Sequence, residues 1–228
     1  MSGASALAQT NLVASADTSV VATVPSSIPA SVSSSVPSTE DRSALMILGD
    51  SISAGYGIRE DQGWVQLLAR TLTETELPWD TINASISGET TSGGLARLPE
   101  LLDTHSPELL VIELGGNDGL RGYPTHLMQQ NIENMVSMAR EAGATPVLMA
   151  MRIPPNYGPR YTRAFEQVYR TIAEQEEILY IPFFLEEIAV QEGMMQDDGI
   201  HPTAIAQPLM RDFVWPYLEP LFSAEEDS

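Results

Sequence analysis

From Ser43 onward, short apolar runs alternate with longer stretches whose apolar residues recur every three or four positions. Only a few polar or glycine-containing residues separate them. Leu45-Met46-Ile47-Leu48 is one such run, residues 109–114 form the clearest, and residues 80–83, 146–151 and 178–181 supply three more. Between them, Trp64, Leu67, Leu68, Thr71 and Leu72 fall at helical spacing. So do Met128, Ile132, Met135, Val136 and Ala139, then Tyr161, Phe165, Val168, Tyr169 and Ile172. A short helix is expected over residues 95–102. A last one is expected over residues 206–218, with Pro208 tolerable in its first turn and Pro216 kinking or ending it. Runs apolar on both faces suit strands covered on both sides, and parallel strands need a crossover helix to return. The fold class predicted is therefore α/β, a parallel sheet with helices on both faces.

The pattern does not extend to the N-terminus. The first 40 residues are rich in Ser, Ala, Val and Thr, have Asp17 as their only charge before Glu40, and are interrupted by Pro25, Pro29 and Pro37. Residues 1–42 read as a flexible tail or linker, and residues 43–224 as the folded domain. Ala4-Ser5-Ala6-Leu7-Ala8-Gln9 is spaced like a signal-peptidase site, although no basic segment or long apolar segment precedes it. No apolar run approaches the roughly 20 residues needed to span a bilayer.

Charge and missing residue types narrow the chemistry. The net charge is −20 and every basic residue is an arginine. Such a surface repels phosphate backbones and anionic lipid, so nucleic-acid binding is not expected. Without cysteine there are no disulfides, Cys-ligated zinc or Cys nucleophile, and without lysine there is no P-loop or Schiff-base mechanism. His105, in a polar helix-to-strand link, and His126, at a helix start behind Pro124-Thr125, read as solvated side chains, so no metal site is expected.

In a parallel sheet, reactive groups gather beyond the carboxyl ends of the strands. Four polar, glycine-containing segments fall at those places: Gly49-Asp50-Ser51, Ser85-Ile86-Ser87-Gly88, Gly115-Gly116-Asn117-Asp118 and Asp198-Gly199-Ile200-His201-Pro202. Gly-Asp-Ser alone equally suits an ordinary turn. Asp198, however, is spaced to hold His201 Nδ1–H across a tight turn at Gly199, leaving Nε2 free to accept a serine proton. Asp197 is the neighbouring alternative. Acyl transfer also needs donors for an oxyanion. The Gly88 N–H can approach a substrate closely, Asn117 offers a carboxamide, and the Ser51 N–H is a third donor. Gly88 as a positive-φ turn and Asn117 as a loop cap are the plainer readings of each residue taken singly.

Together, Gly49-Asp50-Ser51, Gly88, Gly116-Asn117-Asp118 and Asp198-x-x-His201 resemble, in order, the four blocks of the SGNH (GDSL) hydrolase family. The longer stretches 83–88, 95–99, 113–122 and 196–202 resemble its bacterial thioesterase and lysophospholipase members. The resemblance covers about residues 44–222. It implies a three-layer α/β/α, flavodoxin-like fold with a five-stranded parallel sheet. It also implies a catalytic triad of Ser51, Asp198 and His201, and an oxyanion hole from the Ser51 and Gly88 amides and the Asn117 side chain. The family's mobile loop would fall at residues 118–123, making Asp118, Gly119 and Leu120 substrate contacts. Ile153 and Pro154 would border the acyl groove, and Ile153 stands where a relative has leucine.

The activity expected from the resemblance is hydrolysis of carboxylic esters and thioesters, lysophospholipids included, through an acyl-Ser51 intermediate and with no metal or organic cofactor. A short-chain or carbohydrate acetylesterase of the same fold is the alternative, and a non-catalytic acyl- or lipid-binding module is the reading from another class. The expected partner is the small-molecule substrate, with a monomer as the default. The family's usual export agrees with a periplasmic or secreted location, and a cytoplasmic one stays open.

Overall fold

The computed structural model describes residues 42–223. The expected tail therefore lies outside the described residues, apart from Arg42, which ion-pairs with Asp80 and donates to the Trp79 carbonyl. Five strands form one parallel sheet: β1 (Ser43–Gly49), β2 (Trp79–Asn83), β3 (Leu109–Glu113), β4 (Thr145–Met149) and β5 (Leu179–Ile181). Their spatial order is β2-β1-β3-β4-β5. Leu45 to Leu48 in β1 and Leu110 to Ile112 in β3 are completely buried, as a strand covered on both faces must be.

Helices α1 (Trp64–Glu74) and α6 (Gln207–Phe222) pack together as one layer. The other layer is α2 (Thr91–His105), α4 (Thr125–Glu141) and α5 (Pro159–Glu176), with α4 touching both neighbours. A five-residue helix, α3 (Gly116–Leu120), follows β3. The stripes read from the sequence become the buried faces: Trp64, Leu68 and Leu72 of α1, Met128 through Ala139 of α4, and Phe165, Val168, Tyr169 and Ile172 of α5.

Two elements differ from expectation. Helix α2 begins at Thr91, well before residue 95. Gly93 and Gly94 hide its first turn from a propensity reading, yet Thr90 caps it by accepting from the Gly93 N–H. Gly94 lies so close to β3 that a Cβ there would come within 2.3 Å of Leu114 Cδ1. Helix α6 does not end at Pro216 but runs to Phe222 with Pro216 and Pro220 inside it. Its buried stripe of Met210, Val214, Leu218 and Phe222 supplies the packing. Both prolines, and Asp212 whose carbonyl loses a donor to Pro216, face solvent. Tertiary burial outweighs the local proline penalty here.

The strand order reverses direction between β1 and β3, which are neighbours in space with β2 between them in sequence. That switch point opens a crevice beyond the strand ends. In the pairing register Gly49 lies opposite Glu113, so the segments beginning at Asp50 and Leu114 leave the sheet side by side.

Candidate active site

Ser51 sits just past β1 at the mouth of this crevice. The chain turns at once: the Ala54 N–H donates to the Asp50 carbonyl, the Tyr56 N–H to that of Ser51, and Ile52 N–H to Asp50 Oδ1. These bonds present the Ser51 side chain outward while Asp50 and Ser53 turn into the protein. Asp198 and His201 come from the irregular segment between β5 and α6. An antiparallel bridge between Met195 and Pro202 closes that segment, and Gly199 takes its turn at φ +67°.

His201 Nε2 lies 2.8 Å from Ser51 Oγ, and its Nδ1 lies 2.6 Å from Asp198 Oδ2. Asp198 Oδ1 accepts the backbone N–H groups of Ile200 and His201. Hydrogen bonding from the His201 ring, then from those two amides, draws the Asp198 carboxyl down to about 2. An ionised Asp198 holds the proton on Nδ1 and leaves Nε2 as the acceptor facing the serine. Asp197 is exposed and makes no such contact.

Gly88 and Asn117 line the same cavity as Ser51 and His201. Gly88 has φ +81°, a conformation that suits glycine, and Arg121 Nη2 donates to its carbonyl at 3.2 Å. Asn117 Nδ2 donates to Asp50 Oδ2 at 3.2 Å, which spends one of its two N–H bonds and leaves the other for a ligand. The cavity is about 500 Å³, and Ile153, Pro154, Phe183, Leu185, Met195 and Ile200 make its wall mostly apolar.

Of the three residues expected from the loop after Asn117, only Leu120 lines this cavity. Asp118 is buried behind it, accepting the Thr91 hydroxyl at 2.6 Å and the Thr91 N–H at 2.9 Å, an acceptor for the N-terminus of α2. Gly119 is buried too, and a Cβ there would come within 2.5 Å of Ile153 and 2.7 Å of Phe165. These two support the wall from behind, because a helical turn points successive side chains in different directions. His105 ends α2 and His126 lies in the first turn of α4; both are exposed. Among the described residues, no group of three or more metal-ligating side chains is gathered.

Several residues at the site were not singled out from the sequence. The Tyr56 ring packs on the His201 ring, 4.5 Å between centroids. Gln196 Nε2 donates to the carbonyls of Tyr56 and Pro202, tying the serine loop to the histidine loop. Beneath the serine lies Glu113, completely buried. Its Oε2 accepts the Ser53 hydroxyl at 2.6 Å and faces the Asp50 N–H at 3.4 Å. A carboxylate within the otherwise apolar run 109–114 was the available signal. Burial first, then the charge of Asp50, pushes Glu113 well above the carboxylate range. Burial likewise pushes Asp50 up to about 6.

A doubly covered parallel sheet with a serine, histidine and aspartate in hydrogen-bonded sequence at its switch point is the arrangement of a serine hydrolase. The chain matches the GDSL-like Lipase/Acylhydrolase family over residues 47–207 and belongs to it. It is similar to esterase TesA of Pseudomonas aeruginosa, 52% identical over 177 residues that cover 78% of this chain and 88% of that protein. It is 44% identical to the thioesterase 1/protease 1/lysophospholipase L1 of Escherichia coli K12, over 78% of this chain and 84% of the relative. Among solved structures it resembles the psychrotrophic esterase EstA from Pseudoalteromonas sp., with a TM-score of 0.76 and 42% identity, covering 78% of this chain and 97% of the other. The chain is thus an ester hydrolase of this family. Among the described residues, no helix is long and apolar enough to cross a membrane.

Proposed function

We propose that the protein hydrolyses carboxylic esters and thioesters with medium or long acyl chains, lysophospholipids included, using Ser51 as nucleophile. The observation that carries this reading is the continuous chain Asp198–His201–Ser51 at the mouth of a largely apolar cavity. His201 Nε2 takes the Ser51 proton as Oγ bonds to the substrate carbonyl carbon, and the carbonyl electron pair moves onto oxygen. The Ser51 and Gly88 amides and the free Asn117 N–H stabilise that oxyanion. Its collapse breaks the bond to the alcohol or thiol, which leaves with the proton from His201. Water then gives a proton to His201 as it attacks the acyl-Ser51 carbonyl, and collapse of that intermediate breaks the ester bond, returns the proton from His201 to Ser51 Oγ and releases the acid.

Leu120, Ile153, Pro154 and the apolar wall opposite are the residues to which we assign the acyl chain. The mostly apolar wall of this cavity of about 500 Å³ suits an acyl chain rather than a sugar, which favours longer chains over the acetylesterase reading. We further read the cleavage-like segment within residues 1–42 as agreeing with a periplasmic or secreted enzyme. N-terminal sequencing of protein recovered from the cell envelope tests that point.

The deciding experiment is hydrolysis of p-nitrophenyl esters from acetate to palmitate by wild type and Ser51→Ala. The variant should lose turnover by at least about 10³-fold. Full turnover in Ser51→Ala would move the nucleophile elsewhere, and a sharp preference for acetate would replace the long-chain reading.

A further inference from the structure

The chemistry above leaves one buried group unused. Glu113 ends β3, opposite Gly49 in the register, and lies directly under the turn that carries Ser51. It packs so tightly that a Cβ on Gly49 would come within 2.5 Å of Glu113 Oε2. Trp64 Nε1 donates to Ser53 Oγ at 3.2 Å, and the Ser53 hydroxyl donates to Glu113 Oε2, so the proton of a neutral Glu113 sits on Oε1. The same oxygen faces the Asp50 N–H, Asp50 Oδ1 accepts Ile52 N–H, and Asp50 Oδ2 accepts Asn117 Nδ2. One acid thus touches both ends of the turn around the nucleophile and, through Asp50, the carboxamide beside it.

We propose that Glu113 is a positioning residue: a neutral acid whose Oε2 locks the 50–53 turn, and with it Ser51 and the Asp50–Asn117 pair, into reactive geometry. The proposal rests on the reading of Ser51 and Asn117 as reacting groups. Neutrality follows from the surroundings. Glu113 is fully buried, and its Oε1 has no hydrogen-bond partner, a position in which an anionic oxygen would be very costly. The titratable groups facing this region are Asp50 from the serine turn, Tyr169 from α5, Asp118 from α3 and, beyond Asp50, His201. Asp50 and Asp118 are acids and add no positive charge, and Tyr169 is a phenol held neutral by burial. The carboxyl pair beneath the turn therefore carries its single charge on Asp50, where Asn117 and the Ile52 amide solvate it.

The test compares Glu113→Gln and Glu113→Leu in the full-length enzyme, each checked for folding by circular dichroism and melting temperature. Glutamine keeps a neutral acceptor oxygen for Ser53 and Asp50, whereas leucine keeps bulk alone. Glu113→Gln should retain at least about a third of kcat, and Glu113→Leu should lose at least about tenfold in kcat with KM within about twofold. The pH profile separates a neutral acid from an anion. The acid limb of kcat/KM should stay in place in Glu113→Gln, whereas loss of an ionised carboxylate from beneath the turn would move it to lower pH. The wild type at alkaline pH should also show the infrared carbonyl band of a protonated carboxyl, absent from Glu113→Gln.

Wild-type kcat in folded Glu113→Leu, a shifted acid limb in Glu113→Gln, or absence of the infrared band would each overturn the proposal. Should Glu113→Leu not fold, the limb and the band decide it. Turnover surviving in Ser51→Ala would instead remove the reading on which the proposal rests, and none of the Glu113 outcomes mimics that result.

Discussion

At the residue scale, the site works through how few hydrogen bonds each polar atom has to spare. Asn117 commits one N–H to Asp50 and has one left. Asp50 has both oxygens engaged, one by Ile52 and one by Asn117. Asp50→Asn therefore cannot be silent, although it preserves shape. An asparagine has one acceptor oxygen, so either Ile52 N–H is orphaned or two N–H₂ groups face each other and Asn117 must turn its carbonyl toward the oxyanion. We expect kcat to fall by about 10²–10³-fold, the loss associated with one oxyanion donor. Steady-state kinetics on a p-nitrophenyl ester would check this, with KM changing little.

At the scale of elements, the loop after β3 is braced by a helix that touches no substrate. The Thr91 hydroxyl and N–H hold the Asp118 carboxylate, and Asn131 of α4 donates to the same Thr91 oxygen at 3.0 Å. Thr91→Val keeps the volume but removes a donor from a buried carboxylate and an acceptor from Asn131. The expected cost is about 1–3 kcal/mol. Calorimetry should register it as a melting temperature lower by about 5 °C. Because Asp118 adjoins Asn117, kcat should fall with it. The clamp made by Gln196 acts likewise on the opposite wall. Gln196→Ala releases the Tyr56 and Pro202 carbonyls together. It should lower kcat by about tenfold while leaving the fold intact by circular dichroism.

At the scale of the whole molecule, the buried acids and the surface charge act on stability in the same direction. Asp50 is raised from 3.8 to about 6 in the folded protein, and Glu113 is raised in the same sense. A carboxyl raised on folding favours the native state fully below its unfolded value, and that stability is lost as pH rises through the folded one. Asp198 has the opposite sign, and its contribution is lost only as pH falls through about 2. Exposed carboxyls are already largely ionised by about pH 5, so the self-repulsion that comes with a net charge of −20 is in place over most of this rise. The melting temperature is therefore expected to fall from about pH 4 to about pH 6 through Asp50, and to keep falling above that while the folded protein holds Glu113 protonated. In the proposed mechanism activity runs the other way, because His201 accepts the Ser51 proton only as the neutral imidazole. Added salt at pH 8 should recover the part due to surface repulsion and leave the part due to Asp50 and Glu113. A scan of melting temperature over pH and salt separates the two.

What could be read without coordinates was whatever depends on local pattern. Apolar runs bounded by glycine and polar residues marked all five strands, and helical spacing marked the buried faces of α1, α4 and α5, because side-chain period follows backbone geometry directly. The same logic set three of the polar segments just past strand ends, where a doubly wound sheet gathers its chemistry, whereas Asp198 and His201 stand far beyond β5 in the irregular segment before α6. Spacing also made Asp198 a partner for His201, since a three-residue offset across a glycine turn is a local matter. Contacts distant in sequence were decided only in three dimensions. The 2.8 Å between His201 and Ser51 spans 150 positions. That Asp118 faces α2 while Leu120 faces the cavity depends on how a short helix is rotated against its neighbours. Helix α6 outlasts Pro216 because the burial of Val214, Leu218 and Phe222 is a tertiary gain that no local propensity contains. Glu113 stood in the sequence as an odd residue in an apolar strand. Its neutral state and its grip on the serine turn come from packing, because the surroundings of a side chain set the cost of its charge.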